Sequence, residues 1–489
     1  MGFKVDTSFL KFLTMGARGA QQVTAELKAL GFAPIELERY CTSNKIWSTK
    51  VKRLRMPDLL CVRTGLRIEV RAKSDLKIRM SDAPNNADRT WDAGAADEDV
   101  IAFIACDDDG DGPVPADRAV YFDVAGLRAS VGKSVLGPPK SASEGAERDR
   151  TWPATVPGRS GIVESVDHAK LVVMMDGGNG TPPRRQTYTL NGKTAYVAAG
   201  DRFEANVSII AGAPPTLADL RKHLGRVYDP IEELANPEPV ARYAAAKAIR
   251  FRRELHENAL SALEAALAKE TEPRTALELA GSLTALGSAT GRTRITEVLR
   301  HGDPVYLRME AIFILTEIAD DFARDQLVQI ANDTSIENDE RRQAALWGLG
   351  KAGLKAYHEL LPHIADPEEN VAFHAIVAFG VDTPVAVIDR LVELLLTGDD
   401  RLSPAASEAL RLVDAKAAVN AALKARELHG DQHWLLATIG RLDPTTVRIA
   451  LKDNPLLQQI EPMLLLADGA NWLSSDVARS DFAFLAKQN

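Results

Sequence analysis

The hydrophobic pattern divides the chain into a mixed first part, a strand-rich middle and a helical remainder. Near the start, GARGAQQVTAELKALGF predicts an amphipathic helix, because Val23, Leu27 and Leu30 share one face and Gly31 ends the helix. Segments of strand length follow: IELERYC, PDLLCVR, LRIEVRAK, DVIAFIACDD, and AVYFDVAGLRASV as a strand that enters a helix. One helix followed by a run of strands predicts a compact α/β domain over residues 1–140.

The middle of the chain changes composition twice. Pro, Ser, Gly and charged residues dominate LGPPKSASEGAERDRTW, which predicts a linker over residues 141–152. Residues 153–215 then carry short apolar segments with Gly at the turns, such as SGIVESVD, KLVVMMD and FEANVSIIAG. Short strands at close, regular spacing predict a small all-β barrel of SH3-like or barrel-sandwich type.

From residue 216 to residue 489 the pattern is helical and repeats. Alanines recur at intervals of 31 to 35 residues within similar segments, at Ala245, Ala280, Ala311, Ala344, Ala375, Ala406 and Ala437. A period near this length with paired helices is typical of an α-solenoid. These segments resemble HEAT repeats, in which small residues let neighbouring helices approach closely. Solenoids bind many kinds of partner, so the pattern indicates architecture and not activity.

Composition and cysteine usage indicate a reduced, intracellular protein. The chain has 45% hydrophobic and 26% charged residues, and its three cysteines, Cys41, Cys61 and Cys106, lack CxxC spacing. Such cysteines are typical of a reduced core and not of a disulfide frame or a zinc site. The first residues lack the apolar run of a signal peptide, and no window reaches the length of a membrane span. We therefore expect a cytoplasmic protein without a membrane partner.

One strongly basic segment interrupts an acidic chain. Between residues 45 and 79, eleven Lys or Arg and three acids give a local charge of +8. Because the whole chain has a net charge of −9, the residues outside this segment carry −17. Within KIWSTKVKRLR the basic residues alternate with Trp47 and apolar residues, at Lys45, Lys50, Lys52, Arg53 and Arg55. This alternation predicts contacts with a nucleic-acid backbone. A solvated basic face is the alternative interpretation.

The segment RMPDLLCVRTGLRIEVRAK places charges inside an otherwise apolar hairpin. Because side chains alternate along a strand, Glu69, Arg71 and Lys73 share one face of LRIEVRAK. The Thr-Gly turn at residues 64–65 folds this strand back, which brings Asp58 near the level of Lys73 or Arg71, depending on register. Two carboxylates beside two cations suit Mg²⁺ or Mn²⁺. An exposed hairpin held by cross-strand ion pairs is the structural alternative.

This segment resembles the PD-(D/E)xK nuclease superfamily over roughly residues 15–130. Pro57-Asp58 matches the PD element, and Glu69 follows Asp58 by eleven residues. The resemblance implies a restriction-endonuclease-like fold and Mg²⁺-dependent hydrolysis of phosphodiester bonds, mostly in DNA. It also implies that Asp58 and Glu69 hold the metal, with a helix acid, matched here by Glu26, as an additional ligand.

The sequence departs from that family where the pattern expects a lysine two residues after the acid. Arg71 stands there, and an arginine holds phosphate but is effectively never deprotonated. Lys73 lies on the same face one pleat further and can take the role. Without such a lysine, the domain would bind without cutting. The loop NNADRTWDAGAADED is expected to place Asp88, Arg89 and Trp91 at the rim of the site.

All nine histidines lie at position 168 or later, which excludes His-dependent zinc or triad chemistry from the first domain. The resemblance to the nuclease superfamily implies, as the leading hypothesis, a Mg²⁺- or Mn²⁺-dependent endonuclease acting on DNA, and its fusion to a recognition scaffold suggests, by analogy, defence against foreign DNA. RNA is a further candidate substrate. The acidic solenoid would recognise a protein partner or a second copy of the chain, since like charges repel a polyanion. The alternative is a catalytically inactive nucleic-acid-binding or protein–protein adaptor on a HEAT-like scaffold.

Overall fold

The computed structural model describes residues 7–39, 54–108, 112–140, 147–178, 181–335, 340–351 and 353–468. Contacts divide the described residues into two compact units, one between residues 11 and 282 and one that comprises residues 7–10 and residues 283–468. The main boundary therefore lies inside the helical region, whereas the composition pattern placed a boundary at residue 215.

The first part of the chain forms a mixed sheet covered by one long helix. In chain order its elements are α1 (Thr7–Ala29), β1 (Pro34–Glu36), β2 (Leu59–Cys61), β3 (Leu66–Lys73), β4 (Arg79–Asp82), β5 (Val100–Asp108), β6 (Pro113–Pro115), β7 (Val120–Asp123), α2 (Val124–Ala129) and β8 (Val135–Pro139). The sheet order is β1-β2-β3-β5, with β6 and β7 both paired to β5. Strands β3 and β5 are parallel and the other pairs are antiparallel.

Helix α1 confirms the amphipathic pattern at the start of the chain. Val23 and Leu27 are fully buried against Ile68 and Val100 on one face of the sheet. The opposite face packs Phe103 and other apolar side chains into a second core. Alternate residues of β3 and β5 therefore face different cores, and Glu69 belongs to the face of the second core.

The Thr-Gly turn of the β2–β3 hairpin needs a glycine. Gly65 has φ +68°, and a Cβ added there would lie 2.5 Å from the Tyr228 ring. Its N–H donates to the Cys61 carbonyl at 2.9 Å, which closes the turn. An alanine would therefore meet both backbone strain and a clash with a half-buried ring.

We expect Gly65→Ala to lower the free energy of unfolding by about 1–3 kcal/mol. Gly192→Ala is the matched control, because Gly192 has φ +77° but open space around its Cβ position. The urea midpoints of the two variants separate the two effects, because Gly192→Ala adds backbone strain alone and Gly65→Ala adds strain and a clash with Tyr228. Equal midpoints for the two variants would contradict the role assigned to Tyr228.

A second, three-stranded sheet corrects the predicted linker. Strand β9 (Arg148–Thr151) lies within residues 141–152 and pairs with both β4 and β8. Its charges are compensated, since Arg150 Nε donates to Asp82 Oδ2 at 2.6 Å, and buried Trp152 follows directly. Residues 141–146 of the predicted linker lie outside the described residues.

The strand-rich middle forms two open sheets, so the predicted closed barrel is wrong for the described residues. The strands are β10 (Ala154–Thr155), β11 (Gly161–Val166), β12 (Lys170–Met175), β13 (Arg184–Thr189), β14 (Thr194–Ala195), β15 (Arg202–Phe203) and β16 (Ala211–Gly212). They pair in the orders β13-β12-β11-β15 and β10-β16-β14. Four of these strands have only two residues, which is too short to continue one ladder into the other.

The remainder of the described chain is helical. Its helices are α3 (Pro230–Glu233), α4 (Pro239–Phe251), α5 (His256–Lys269), α6 (Pro273–Ala285), α7 (Ala289–His301), α8 (Tyr306–Ile318), α9 (Asp321–Asn332), α10 (Glu340–Leu349), α11 (Glu369–Val377), α12 (Val385–Leu395), α13 (Leu402–Leu410), α14 (Ala415–His429), α15 (His433–Ile439), α16 (Pro444–Ala450) and α17 (Leu456–Asp468). Within the second unit, helices contact their neighbours one or two positions along the chain, as in a solenoid. None of the described helices has both the length and the apolar content needed to cross a membrane.

The recurring alanines explain how the helical repeats pack. Six of the seven are fully buried, on α4, α6, α8, α10, α11 and α13, and Ala437 on α15 is half-buried. Their small side chains let one helix approach the next, which confirms the HEAT-like helical repeat prediction.

The cysteine prediction is confirmed for the two cysteines within the described residues. Cys61 and Cys106 are free and buried. Burial raises the pKa of Cys61 to about 12 and that of Cys106 to about 11, so both thiols stay protonated at neutral pH. Cys41 lies outside the described residues.

Candidate active site on the charged hairpin

The hairpin register, continued one residue beyond β2, brings Asp58 level with Glu69. Leu59 opposes Ile68 in the antiparallel β2–β3 ladder, so one step further Asp58 comes level with Glu69. The sequence reasoning expected Asp58 near Lys73 or Arg71. The difference arises because Cys61 pairs with Leu66, which leaves a four-residue turn and fixes the register. The Val70 N–H donates to Asp58 Oδ2 at 2.7 Å, so the carboxylate is held against the edge of β3.

The charged face of β3 is a row of four side chains, from residue 67 to residue 73. Arg67 makes a buried bidentate pair with Asp99, with Nε and Nη2 donating at 2.8 and 2.7 Å. The two residues are neighbours because Ile68 pairs with Val100 in the parallel β3–β5 ladder. Further along the row, Arg71 pairs with Glu69 on the same strand. These ion pairs are not the β2–β3 cross-strand pairs of the structural alternative.

Lys73 is the cation of this row with the properties of a base. Burial lowers its pKa, the positive charges of Arg71, Arg79 and Lys140 lower it further, and Asp149 opposes the shift. Within the described part of the chain, its ammonium has neither a hydrogen-bond nor an ion-pair partner. A lysine with a lowered pKa gives up its proton near neutral pH more readily than an arginine does.

The second sheet contributes a charged group that sequence reasoning missed. Lys140 Nζ lies 2.8 Å from Ser81 Oγ, 3.1 Å from Glu147 Oε1 and 2.9 Å from Asp149 Oδ1. Arg79 Nη1 lies 4.0 Å from Asp149 Oδ2. The available signal was the alternation of acid and base in ERDRT, which has the period of a strand rather than of a linker.

A small cleft of about 20 Å³ lies beside Glu69. It is lined by Arg55, Pro57, Glu69, Trp91 and Asp99, among other residues. Arg55 Nη1 donates to the Thr90 carbonyl at 2.7 Å. Burial and the charge of Arg71 lower the pKa of Arg55, while Glu69 and Asp58 raise it. Arg55 therefore lies within electrostatic reach of both carboxylates.

Most of the other predicted binding residues lie apart from this cleft or outside the described chain. Trp91 lines the cleft but is buried in the second core and not exposed at a rim, and Arg89 pairs with Glu147 at 2.8 Å. Four basic residues lie outside the described residues, namely Lys45, Lys50, Lys52 and Arg53.

Glu26 does not join Asp58 and Glu69. Its Oε2 accepts from the Tyr121 hydroxyl at 2.8 Å and from the Ala119 N–H at 3.1 Å. Helix α1 packs on the face of Ile68 and Val70, opposite to the face of Glu69. The prediction of Glu26 as a metal ligand therefore fails, because it depended on which face of the sheet the helix covers.

Two carboxylates of the hairpin are the remaining candidates for metal ligands. No group of three or more His, Cys, Asp or Glu suited to a metal occurs among the described residues. Mg²⁺ typically binds proteins through one or two carboxylates and completes its shell with waters and substrate phosphate. Asp58 and Glu69 would supply such carboxylates only after Glu69 leaves Arg71, with which it is paired in this structure.

No protein-family model matches the chain, and no curated protein matches it either. One similar solved structure is the complex of CpcE and CpcF of phycocyanin lyase from Nostoc sp. PCC7120, at 22% identity and a TM-score of 0.24. That match covers 49% of this chain and 92% of the other. Another is human deoxyhypusine hydroxylase in complex with glycerol, at 18% identity and a TM-score of 0.21, covering 48% and 97%. Likenesses of this extent do not bear on the function of this chain.

Proposed function

We propose that the N-terminal domain is a metal-dependent endonuclease of the restriction-endonuclease type that hydrolyses phosphodiester bonds in DNA. The observation that carries the proposal is the hairpin register, which brings Asp58 level with Glu69. Lys73, whose pKa is lowered by burial, lies on the same face of β3 as Glu69. Two carboxylates that the register brings level, and a lysine whose pKa is lowered, supply the metal ligands and the base that phosphodiester hydrolysis needs.

Each side chain has a separate role in the proposal. Asp58 and Glu69 would hold Mg²⁺ or Mn²⁺. Such an ion supplies a nucleophilic water at neutral pH and offsets charge on the attacked phosphate. The Lys73 amine would accept a proton from the attacking water at Nζ. Arg71 and Arg55 would donate hydrogen bonds to phosphate oxygens, for which a guanidinium is suited.

The basic segment supports a polyanionic substrate. Residues 45–79 carry a charge of +8, Arg55 of that segment lines the cleft, and Arg71 and Lys73 lie on the same face of β3 as Glu69. Contacts of this kind give affinity without sequence choice. The acidic remainder is better suited to a protein partner or a second copy of the chain. A role in defence against foreign DNA follows from the resemblance to restriction enzymes alone.

A second candidate function is favoured by the Glu69–Arg71 ion pair. If Arg71 keeps the Glu69 carboxylate, the hairpin binds a nucleic-acid backbone without cutting it. The chain would then be a non-catalytic adaptor in which the helical repeats bind a protein partner. In this candidate the row of charges on β3 is a binding surface and Lys73 is a phosphate contact.

Incubation of supercoiled plasmid with the full chain separates these two functions. We expect nicked and linear products with Mg²⁺ or Mn²⁺ and intact plasmid with EDTA. Intact plasmid under every metal condition, together with salt-dependent plasmid binding, would favour the adaptor and contradict the endonuclease.

The nicking rate should depend on pH through Lys73. Because burial lowers its pKa, we expect the rate to rise as pH increases toward the usual lysine range and the amine loses its proton. Lys73→Arg retains the charge but not the base, so the rate should fall by about 10²–10⁴-fold. A matched control is Lys140→Arg, since Lys140 is already paired with Glu147 and Asp149. A Lys73→Arg variant with the wild-type pH profile would remove Lys73 from the mechanism.

A further inference from the structure

The segment that carries Asp58 begins with a strained residue. Leu54 has φ +56°, a left-handed conformation that is uncommon for a residue other than glycine. Such a conformation persists only where the surroundings hold it in place, and it is concentrated at functional sites. Residues 55–58 follow at once and include Arg55, Pro57 and Asp58 of the candidate site.

A fully buried arginine from the helical repeats holds this residue. Arg274, in the first turn of α6, donates from Nη1 to the Leu54 carbonyl at 2.9 Å. The same guanidinium reaches Glu38, with Nη2 3.2 Å from Oε1. Just before Glu38, the Leu37 N–H donates to the Asp58 carbonyl at 2.8 Å. Arg274 is therefore tied to both ends of the segment, directly at Leu54 and through residues 37–38 at Asp58.

A close backbone contact restricts the segment from another side. Gly94 has φ +74°, and a Cβ added there would lie 2.2 Å from the Arg55 carbonyl oxygen. The backbone of residue 55 is thus packed against a glycine while the preceding carbonyl is held by Arg274. Small displacements at Leu54 must consequently be transmitted to Arg55 and Asp58.

We infer that Arg274 is a positioning residue for the candidate site. By holding the left-handed turn at Leu54, helix α6 sets where Arg55 and Asp58 lie relative to Glu69. The first helical repeats are then part of the support of the site and not only a scaffold for partners. The expected effect on catalysis rests on the proposed function, whereas the expected effect on the position of Asp58 does not.

The test compares Arg274→Lys with Arg242→Lys in the full chain. Arg242 is a matched control, because it pairs with Glu270 at 2.7 and 2.8 Å and donates to the Asn236 and Pro237 carbonyls. Lysine keeps the charge but cannot bind a carboxylate and a carbonyl in the same fork. Hydrogen exchange of the Val70 amide reports the position of Asp58, to which that amide donates. Mn²⁺ affinity and plasmid nicking report the function of the site.

We expect Arg274→Lys to speed exchange of the Val70 amide by about tenfold and to weaken Mn²⁺ binding, because a bond to a charged group is lost. We expect kcat for nicking to fall more than KM rises, and Arg242→Lys to match the wild type. Adding Leu54→Gly to Arg274→Lys should restore part of the Val70 protection and part of the Mn²⁺ affinity, since glycine adopts positive φ without strain. If Arg274→Lys does not fold, Glu38→Gln removes the negative charge that Arg274 binds, at a half-buried position, and should speed the same exchange.

The inference is overturned if Arg274→Lys has the wild-type Val70 exchange rate and the wild-type Mn²⁺ affinity. The same two results in Glu38→Gln overturn it where that variant is used instead. Helix α6 would then have a packing role alone. If the wild-type chain neither binds Mn²⁺ nor nicks plasmid, the proposed function fails. The Val70 exchange rate then still decides whether Arg274 positions Asp58.

Discussion

Replacement of Glu69 by alanine is expected to lower metal-dependent plasmid nicking by about 10³-fold or more. The variant loses one of the two carboxylates that the hairpin register brings level, so Asp58 alone would have to hold the ion. The side chain is partly exposed and lies beside a cleft, so the fold should tolerate its loss. The rate of conversion of supercoiled to open-circle plasmid at saturating Mg²⁺ measures the effect.

Glu147→Ala is the appropriate control for Glu69→Ala. Glu147 is an acid of the second sheet, paired with Arg89 at 2.8 Å and Lys140 at 3.1 Å. It is not level with Asp58 on the hairpin ladder, so its loss should leave the nicking rate unchanged. A Glu69→Ala preparation that nicks at the wild-type rate would show that any activity comes from another site.

Glu278→Ala should produce the largest change in stability, a loss of about 3–5 kcal/mol in the free energy of unfolding. Glu278 on α6 is fully buried between two arginines. Its Oε2 lies 2.6 Å from Arg39 Nη2 and its Oε1 lies 2.5 Å from Arg250 Nη2. Removal of the carboxylate leaves two buried guanidinium groups without their shared counter-charge, which costs far more than an exposed pair.

Urea unfolding followed by tryptophan fluorescence measures this loss, with Glu254→Ala as the control. Glu254 is exposed and pairs with Arg252 at 3.0 Å, so its replacement should leave the unfolding midpoint unchanged. Equal midpoints for Glu278→Ala and Glu254→Ala would contradict the assignment of a stabilising buried network. An N-terminal domain cut at residue 215 would lose Tyr243 and Glu278, which contact Arg39, so these experiments require the full chain.

The elements that follow from local patterns could be predicted from the sequence. The spacing of Val23 and Leu27 predicted α1 and its buried face, and the spacing of the alanines predicted the repeats. The Thr-Gly pair predicted the hairpin turn, where Gly65 does adopt positive φ. In each case the signal lies within a few residues or recurs at a fixed interval, so no knowledge of tertiary contacts was needed.

The features that depend on tertiary contacts could not be predicted in this way. Which β3 residue lies opposite Asp58 depends on the length of the turn. A turn longer or shorter by one residue would move Asp58 to the other face of the sheet. The failure of Glu26 as a ligand depends on which face of the sheet α1 covers. Arg39 and Glu278 lie far apart in the sequence, and neither stands in a motif. The charged strand β9 resembled a linker because its apolar neighbour, Trp152, is a single residue.

A crystal structure of the full chain grown with Mn²⁺ would show whether Asp58 and Glu69 share an ion. We expect one anomalous difference peak within coordination distance of both carboxylates, with Arg71 displaced from Glu69. The absence of a peak at saturating Mn²⁺, with Glu69 still paired to Arg71, would contradict this expectation.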